Sequence, residues 1–221
     1  VNGISTNVHE LLDEKAPSGN PKEADTAVFY SISNCQKGLA GVSFGNFLIK
    51  RVVADLKVSL PNLKTFSTLS PIPGFCGWVK TLQEEDDLFH GEEEAITLLQ
   101  TDGFTAEMFR EALVPEPADN KEKREQSVRM KQSLLRLCAR YLLEEKKGVQ
   151  VFDRVAHFHL TNGAQIKQVN WGADLTDNGI MQSAGMMVNY LYDLPNIEKN
   201  HENYSGQGEI AAMAPVKKLL K

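Results

Sequence analysis

Thr26 to Ser33, TAVFYSIS, is an almost unbroken run of apolar, β-branched and aromatic side chains, the pattern of a strand covered on both faces. Glycines 38, 41 and 45 follow, and Phe44, Phe47, Leu48, Val52 and Leu56 then recur at helical spacing until Pro61. A second strand, KTFSTLS, runs into Pro71-Ile72-Pro73-Gly74. Strand, glycine turn, helix and strand within about 45 residues predict a βαβ unit with parallel strands and a right-handed crossover.

Around this unit the pattern is mostly helical. VHELLDE predicts a short helix, and residues 13–25, with two prolines and a Ser-Gly-Asn cluster, an exposed loop. Helices are expected at 92–100, 105–114 and 121–146. In the last, Met130, Leu134, Leu137 and Tyr141 form one buried stripe, Leu135, Cys138 and Leu142 widen it, and Gly148 lies beyond its end. The charges of KEKREQ upstream form a solvated face. Asp153 is a candidate N-cap for RVAHFHLT, which ends at Asn162-Gly163: a short helix closed by a left-handed cap, or a hairpin with an Asn-Gly turn. Residues 164–171 and 184–192 read as strands joined by a Gly/Asp/Asn-bearing connection. No internal repeat is evident. The expected class is α/β or α+β, with 1–221 as a single domain and 81–147 as a helical insertion within it.

Composition narrows the function more than the fold. With 221 residues, 42% of them hydrophobic, the chain is long enough for a substantial core. A net charge of −5 offers no general attraction to nucleic acid or to an anionic membrane surface, so an anionic ligand has to be held locally. The three cysteines, Cys35, Cys76 and Cys138, have no metal-binding spacing and suit a reducing compartment, hence an intracellular location. No apolar run approaches the roughly 20 residues that span a bilayer, and VNGISTNVHE lacks the pattern of a secretion signal. With no initiator Met, the chain reads as the C-terminal part of something longer.

Four groups of residues can carry chemistry. Gln36, Lys37, Gly38, Leu39, Ala40, Gly41 and Val42 lie between a buried strand and a helix start. Free main-chain N–H groups and the helix dipole there favour a phosphate or pyrophosphate, although the spacing is neither a dinucleotide fingerprint nor a P-loop, and a tight turn explains the glycines equally well. Ser70 ends the second strand, where ligands collect on open α/β sheets, and Pro71 and Pro73 stiffen its support; a strand simply stopped by prolines is the competing reading. His157 and His159 share a face on a strand but diverge by about 200° on a helix. They have no zinc-type companions, so no metal is expected and a structural histidine is the default. Asn170, Trp171, Asp174, Ser183, Asn189 and Tyr190 form a polar and aromatic set that lines a pocket or satisfies buried main chain. A G-x-S-x-G serine-hydrolase elbow is absent.

FYSISNCQKGLAGVSFGNFLIKRVV, LKTFSTLSPIPGF, VAHFHLTNGA, NWGAD and MMVNYLYD together resemble the malonyl-CoA decarboxylase family, closely over residues 25–80 and 125–195. The resemblance implies an acyl-CoA-binding domain of the CoA-dependent N-acetyltransferase (GNAT) type: a mixed sheet with flanking helices, normally preceded by a helical domain and further strands. With no counterpart of these ahead of Val1, a bare sheet edge is expected near residue 27. The family's pyrophosphate loop maps to Gln36–Val42 and on to Gly45. Its catalytic serine maps to Ser70, with Ser67 and Thr68 as neighbours, and its catalytic histidine to His159. Residues 153–162 then become a helix.

The implied activity is decarboxylation of malonyl-CoA to acetyl-CoA and CO2, without metal or separate cofactor, since coenzyme A is part of the substrate. The full-length protein is expected to be a homo-oligomer. KKLLK lacks a peroxisomal Ser-Lys-Leu, and the compartment among cytoplasm, mitochondrion and peroxisome stays open. An acyl-CoA-dependent acetyltransferase and a non-catalytic CoA-binding paralogue are the alternatives.

Overall fold

The computed structural model describes residues 1–17, 19–30, 45–88, 90–113 and 121–221. After a short helix, α1 (Val8–Leu12), and one 3-10 turn (Pro21–Glu23), the predicted βαβ unit is present as β1 (Thr26–Phe29), α2 (Gly45–Ser59) and β2 (Thr65–Thr68). β1 and β2 are parallel, from Thr26 opposite Thr65 to Phe29 opposite Thr68. The outer edge of β1 is not bare at its start: the main chains of Val1 and Thr26 exchange hydrogen bonds of 3.2 and 3.1 Å.

The second strand is broken where the sequence predicts continuity. β2 stops at Thr68, and β3 (Ser70–Pro71) follows after Leu69. Both lie antiparallel to β7 (Met187–Leu191), Ser67 opposite Leu191 and Ser70 opposite Val188. Side chains replace the ladder across the break. Tyr190 N–H donates to Thr68 Oγ1 at 3.2 Å, and the Asn189 amide donates to the Thr68 carbonyl at 2.6 Å. Main-chain polar groups released at the break are thereby paired inside the protein, as burial requires. β6 (Gln165–Asn170) runs antiparallel along the other side of β7, with a register shift between Ile166 and Gln168. The result is a mixed sheet ordered β1, β2 with β3, β7, β6.

Helices α4 (Glu93–Gln100), α5 (Ala106–Leu113) and α6 (Lys121–Leu143) match the predicted periodicity. Met130, Leu134, Leu137, Cys138, Tyr141 and Leu142 of α6 are buried in one core with Phe66, Ile166 and Val188 of the sheet. Each leucine of that stripe contributes roughly 1.5–3 kcal/mol by leaving water. α6 ends earlier than expected. Gly148, at φ 68°, serves the turn between β4 (Lys146–Lys147) and β5 (Gln150–Val151) and does not cap the helix.

α7 (Arg154–Thr161) decides between the two readings of 153–163. The Asp153 carboxylate accepts from Val155 N (2.9 Å) and Ala156 N (2.8 Å). Asn162 has φ −84° and only Gly163, at 77°, is left-handed, so this is a helix stop and not the two-positive-φ hairpin turn. α3 (Phe75–Val79) and α8 (Asp177–Ser183) were not foreseen, and α8 occupies the supposed loop between the last two strands. With 5 and 7 residues they are too short to show a helical period in sequence. Consequently β7 starts at Met187, not at 184, because Ala184 closes α8 in a left-handed conformation. α9 (Ile197–Gln207) and α10 (Ala214–Lys217) complete the chain.

Candidate active site

Ser70 and His159 are 89 residues apart in sequence and meet inside the protein, Ser70 Oγ lying 3.1 Å from His159 Nε2. Their supports follow from the local sequence. Pro71 holds Ser70 extended, which lets it pair with Val188 in β3. Asp153 starts α7, and His159 then falls on the face turned to the sheet. His157, two residues earlier, points elsewhere, to the Tyr204 hydroxyl at 2.8 Å. This is the divergence that helical geometry demands.

Both members of the pair are nearly inaccessible, Ser70 at 5% and His159 at 2%. Ser70 Oγ also lies 2.9 Å from Thr68 Oγ1, the atom that accepts from Tyr190 N–H. His159 Nδ1 lies 2.8 Å from the Tyr192 hydroxyl. The Tyr190 ring stacks on the imidazole at 4.3 Å with 23° between planes. The imidazole is therefore held at both nitrogens and on one face. Its pKa is pushed from 6.5 down to about 3 by burial, so the ring is neutral at physiological pH. Burial likewise raises the Tyr190 and Tyr192 phenols, which stay protonated.

The depressed histidine leaves a stability signature. Unfolded, the imidazole takes up a proton below its ordinary value of 6.5; folded, it does so only near 3. Its contribution is thus intact above pH 6.5 and is lost as pH falls towards 3. Urea unfolding of wild type and His159→Asn should show the wild type losing about 3 kcal/mol relative to the variant between pH 7.5 and 4.5. Parallel pH profiles of the two proteins would contradict a buried neutral ring.

Asp153 joins the two halves of the pair. One carboxylate oxygen caps α7, and the other accepts from the Tyr141 hydroxyl of α6 at 3.2 Å. The Gly74 N–H, at the end of the Ser70-Pro71-Ile72-Pro73-Gly74 segment, acts on the same carboxylate. A Cβ at Gly74 would come within 2.2 Å of the Tyr141 hydroxyl, so the turn after Ser70 can sit on this carboxylate only with glycine there. Burial raises the Asp153 pKa, and the hydrogen bonds from Ala156, Tyr141 and Val155 oppose that rise.

Other candidates have structural partners. Asn170 donates to Asn189 Oδ1 at 2.7 Å, and Ser183 Oγ donates to main-chain oxygens of Gly179 and Met186. Asp174 accepts from the Thr176 hydroxyl at 2.7 Å beside α8, and Trp171 lies 6.3 Å from the Phe109 ring. Cys76 and Cys138 are free and buried. Burial pushes the Cys76 thiol up to about 12 and Cys138 well above its usual value, so neither is a thiolate nucleophile. Among the described residues no cluster of His, Cys, Asp and Glu could hold a metal ion, and no helix is long and apolar enough to cross a membrane. Gln36, Lys37, Gly38, Leu39, Ala40, Gly41 and Val42, with Cys35, lie outside the described residues; Gly45 is the first residue of α2.

Sequence reasoning missed Tyr192 and the tie through Asp153 and Tyr141. One signal was available: Tyr190 and Tyr192 are two apart at the end of a strand, a spacing that puts two phenols on the same face.

Comparison with known proteins agrees with this architecture. The family model for the malonyl-CoA decarboxylase C-terminal domain matches residues 1–221. Mitochondrial malonyl-CoA decarboxylase of Anser anser anser is 37% identical over 222 residues, covering 96% of this chain and 44% of that protein. The enzyme of the same name from Rattus norvegicus is 38% identical over 226 residues, covering 98% and 46%. The crystal structure of malonyl-CoA decarboxylase from Rhodopseudomonas palustris superposes with a TM-score of 0.79 at 43% identity, covering 99% of this chain and 47% of that one. That from Cupriavidus metallidurans gives 0.76 at 37% identity, covering 100% and 53%. The chain thus spans about half the length of the relatives it matches.

Proposed function

The chain belongs to the malonyl-CoA decarboxylase family, and from that premise we propose that the protein converts malonyl-CoA to acetyl-CoA and CO2 with Ser70 and His159 as its catalytic pair. The observation that carries this reading is the buried 3.1 Å contact between the two side chains. A malonyl thioester contains its own electron sink. When the C–C bond to the carboxylate breaks, its electron pair moves into the thioester carbonyl, CO2 leaves, and a thioester enolate remains. In this reading Ser70 donates a hydrogen bond to the malonyl carboxylate and sets the breaking bond across the carbonyl plane. A ring N–H of His159 then transfers its proton to the enolate α-carbon, whose electron pair forms the new C–H bond, and the imidazolate left behind regains a proton from water as the products leave.

Proton delivery of this kind accounts for about 10²- to 10⁴-fold, and desolvation of the carboxylate and its fixed orientation supply the rest. A buried neutral imidazole suits the role, because the carbanion is a strong base and no imidazolium is required. The main-chain N–H groups of Gln36–Val42 are the proposed seat of the diphosphate.

The test follows both products. The full-length protein is given malonyl-CoA labelled in its free carboxylate, and in a parallel reaction acetyl-CoA with an amine acceptor. Labelled CO2 with equimolar acetyl-CoA is expected from the first and no acetylated amine from the second. Acetyl transfer without CO2 release, or failure to bind CoA at millimolar concentration, would overturn the proposal.

A further inference from the structure

We propose that Tyr192 is a positioning residue that holds His159 in the tautomer with its proton on Nε2, so that the single N–H of the neutral ring faces Ser70. Tyr192, His159, Ser70 and Thr68 form one chain of contacts at 2.8, 3.1 and 2.9 Å. A neutral imidazole has one donor and one acceptor nitrogen, and the group bonded to one nitrogen decides the role of the other. The chain therefore has two internally consistent directions. Either Tyr192 donates to Nδ1 and Nε2–H donates to Ser70, or Thr68 donates to Ser70, Ser70 to Nε2, and Nδ1–H to Tyr192.

Phenol chemistry chooses between them. A phenol is a far stronger acid than an alkyl hydroxyl and, with its lone pair shared into the ring, a poorer acceptor. Placing the phenol hydrogen on the bare imidazole nitrogen pairs the best donor with the best acceptor, and the reverse direction wastes both. The far end accommodates this direction: Thr68 Oγ1 accepts from Tyr190 N–H and has a second lone pair for the Ser70 hydrogen, which turns to the malonyl carboxylate when substrate binds. Rotating the imidazole by half a turn offers no escape, because ring carbons would then face both hydroxyls. The stacked Tyr190 ring at 4.3 Å keeps the imidazole plane in place. Tyr192 is itself fixed, being 2% exposed with its N–H bonded to the Phe66 carbonyl at 2.9 Å.

The purpose of this tautomer rests on the decarboxylase reading, since it loads with a proton the nitrogen that faces the proposed substrate. The tautomer itself does not rest on that reading. The experiment uses full-length protein carrying [15N]imidazole-labelled histidine, with His159→Asn to identify the resonance. At neutral pH a long-range 1H–15N spectrum should show a protonated Nε2 and an unprotonated Nδ1 in the wild type. Tyr192→Phe keeps the packing and removes the donor. It should populate the Nδ1–H form and lower kcat for CO2 release about tenfold while KM for malonyl-CoA stays within about twofold. Tyr204→Phe, which removes the phenol beside His157, should leave both the His159 resonance and kcat unchanged.

A wild-type spectrum with the proton on Nδ1 would overturn the proposal, and it decides the matter even if Tyr192→Phe does not fold. An unaltered tautomer in a folded Tyr192→Phe variant would do the same. A ring protonated on Nε2 in a protein that releases no CO2 supports the assignment and removes only the catalytic reading.

Discussion

Replacing His159 by alanine in the full-length protein should lower CO2 release from malonyl-CoA by about 10²- to 10⁴-fold, the range associated with removing a general acid. The loss should fall on kcat, because a proton delivered after C–C cleavage contributes nothing to ground-state binding. Ser70→Ala should be similarly impaired, whereas Thr68→Ala, which removes a hydroxyl one contact further from the imidazole, should keep most of the activity. The neighbouring assignment is decided by that comparison: if the Thr68 variant alone fails, the hydroxyl that meets the substrate is Thr68. Near-normal turnover by His159→Ala, measured on protein whose urea midpoint shows it folded, would remove the histidine from the mechanism.

Asp153→Ala should have the largest effect on stability. The substitution removes the α7 cap, worth about 0.5–2 kcal/mol, and strands the buried Tyr141 hydroxyl, at about 1–3 kcal/mol more. A combined loss of about 3 kcal/mol corresponds to a fall of roughly 6–12 °C in Tm for a chain of this size. Asp153→Asn keeps an oxygen for the cap and should lose about half as much. The exposed Arg110–Asp177 ion pair is the contrast, and Asp177→Ala should cost under about 1 kcal/mol. Calorimetry of the three variants checks the order. An Asp153→Ala protein as stable as wild type would mean that the carboxylate does not tie the turn after Ser70 to α7.

These two residues also mark where sequence reasoning stopped. Asp153 was legible as a helix cap because capping is local: a short acceptor two and three residues before free N–H groups. Its bonds to Tyr141 and to the Gly74 turn were not, because no pattern along the chain links positions 74, 141 and 153. In the sequence alone His159 is one of two equivalent histidines, and only the family resemblance separates it from His157. The helix supplies the physical reason, turning His157 to Tyr204 and His159 to Ser70.

Periodicity along the chain was enough for the βαβ unit, the stripe of α6 and the two late strands, because burial on one face repeats with the period of the element that creates it. It also placed a hydroxyl at a strand end; the choice of His159 in the FHL-x-NG segment came from the family resemblance. It could not foresee the break at Leu69, since whether a strand continues depends on what lies across from it. Here Asn189 and Tyr190 of β7 supply the bonds that let β2 give way to β3. Nor could it foresee α3 and α8, which are shorter than the repeat that would reveal them. The contact of Ser70 with His159, the direction of the chain from Tyr192 to Thr68 and the neutrality of the imidazole all depend on distances and on exclusion of water. These exist only once segments far apart in sequence are packed together.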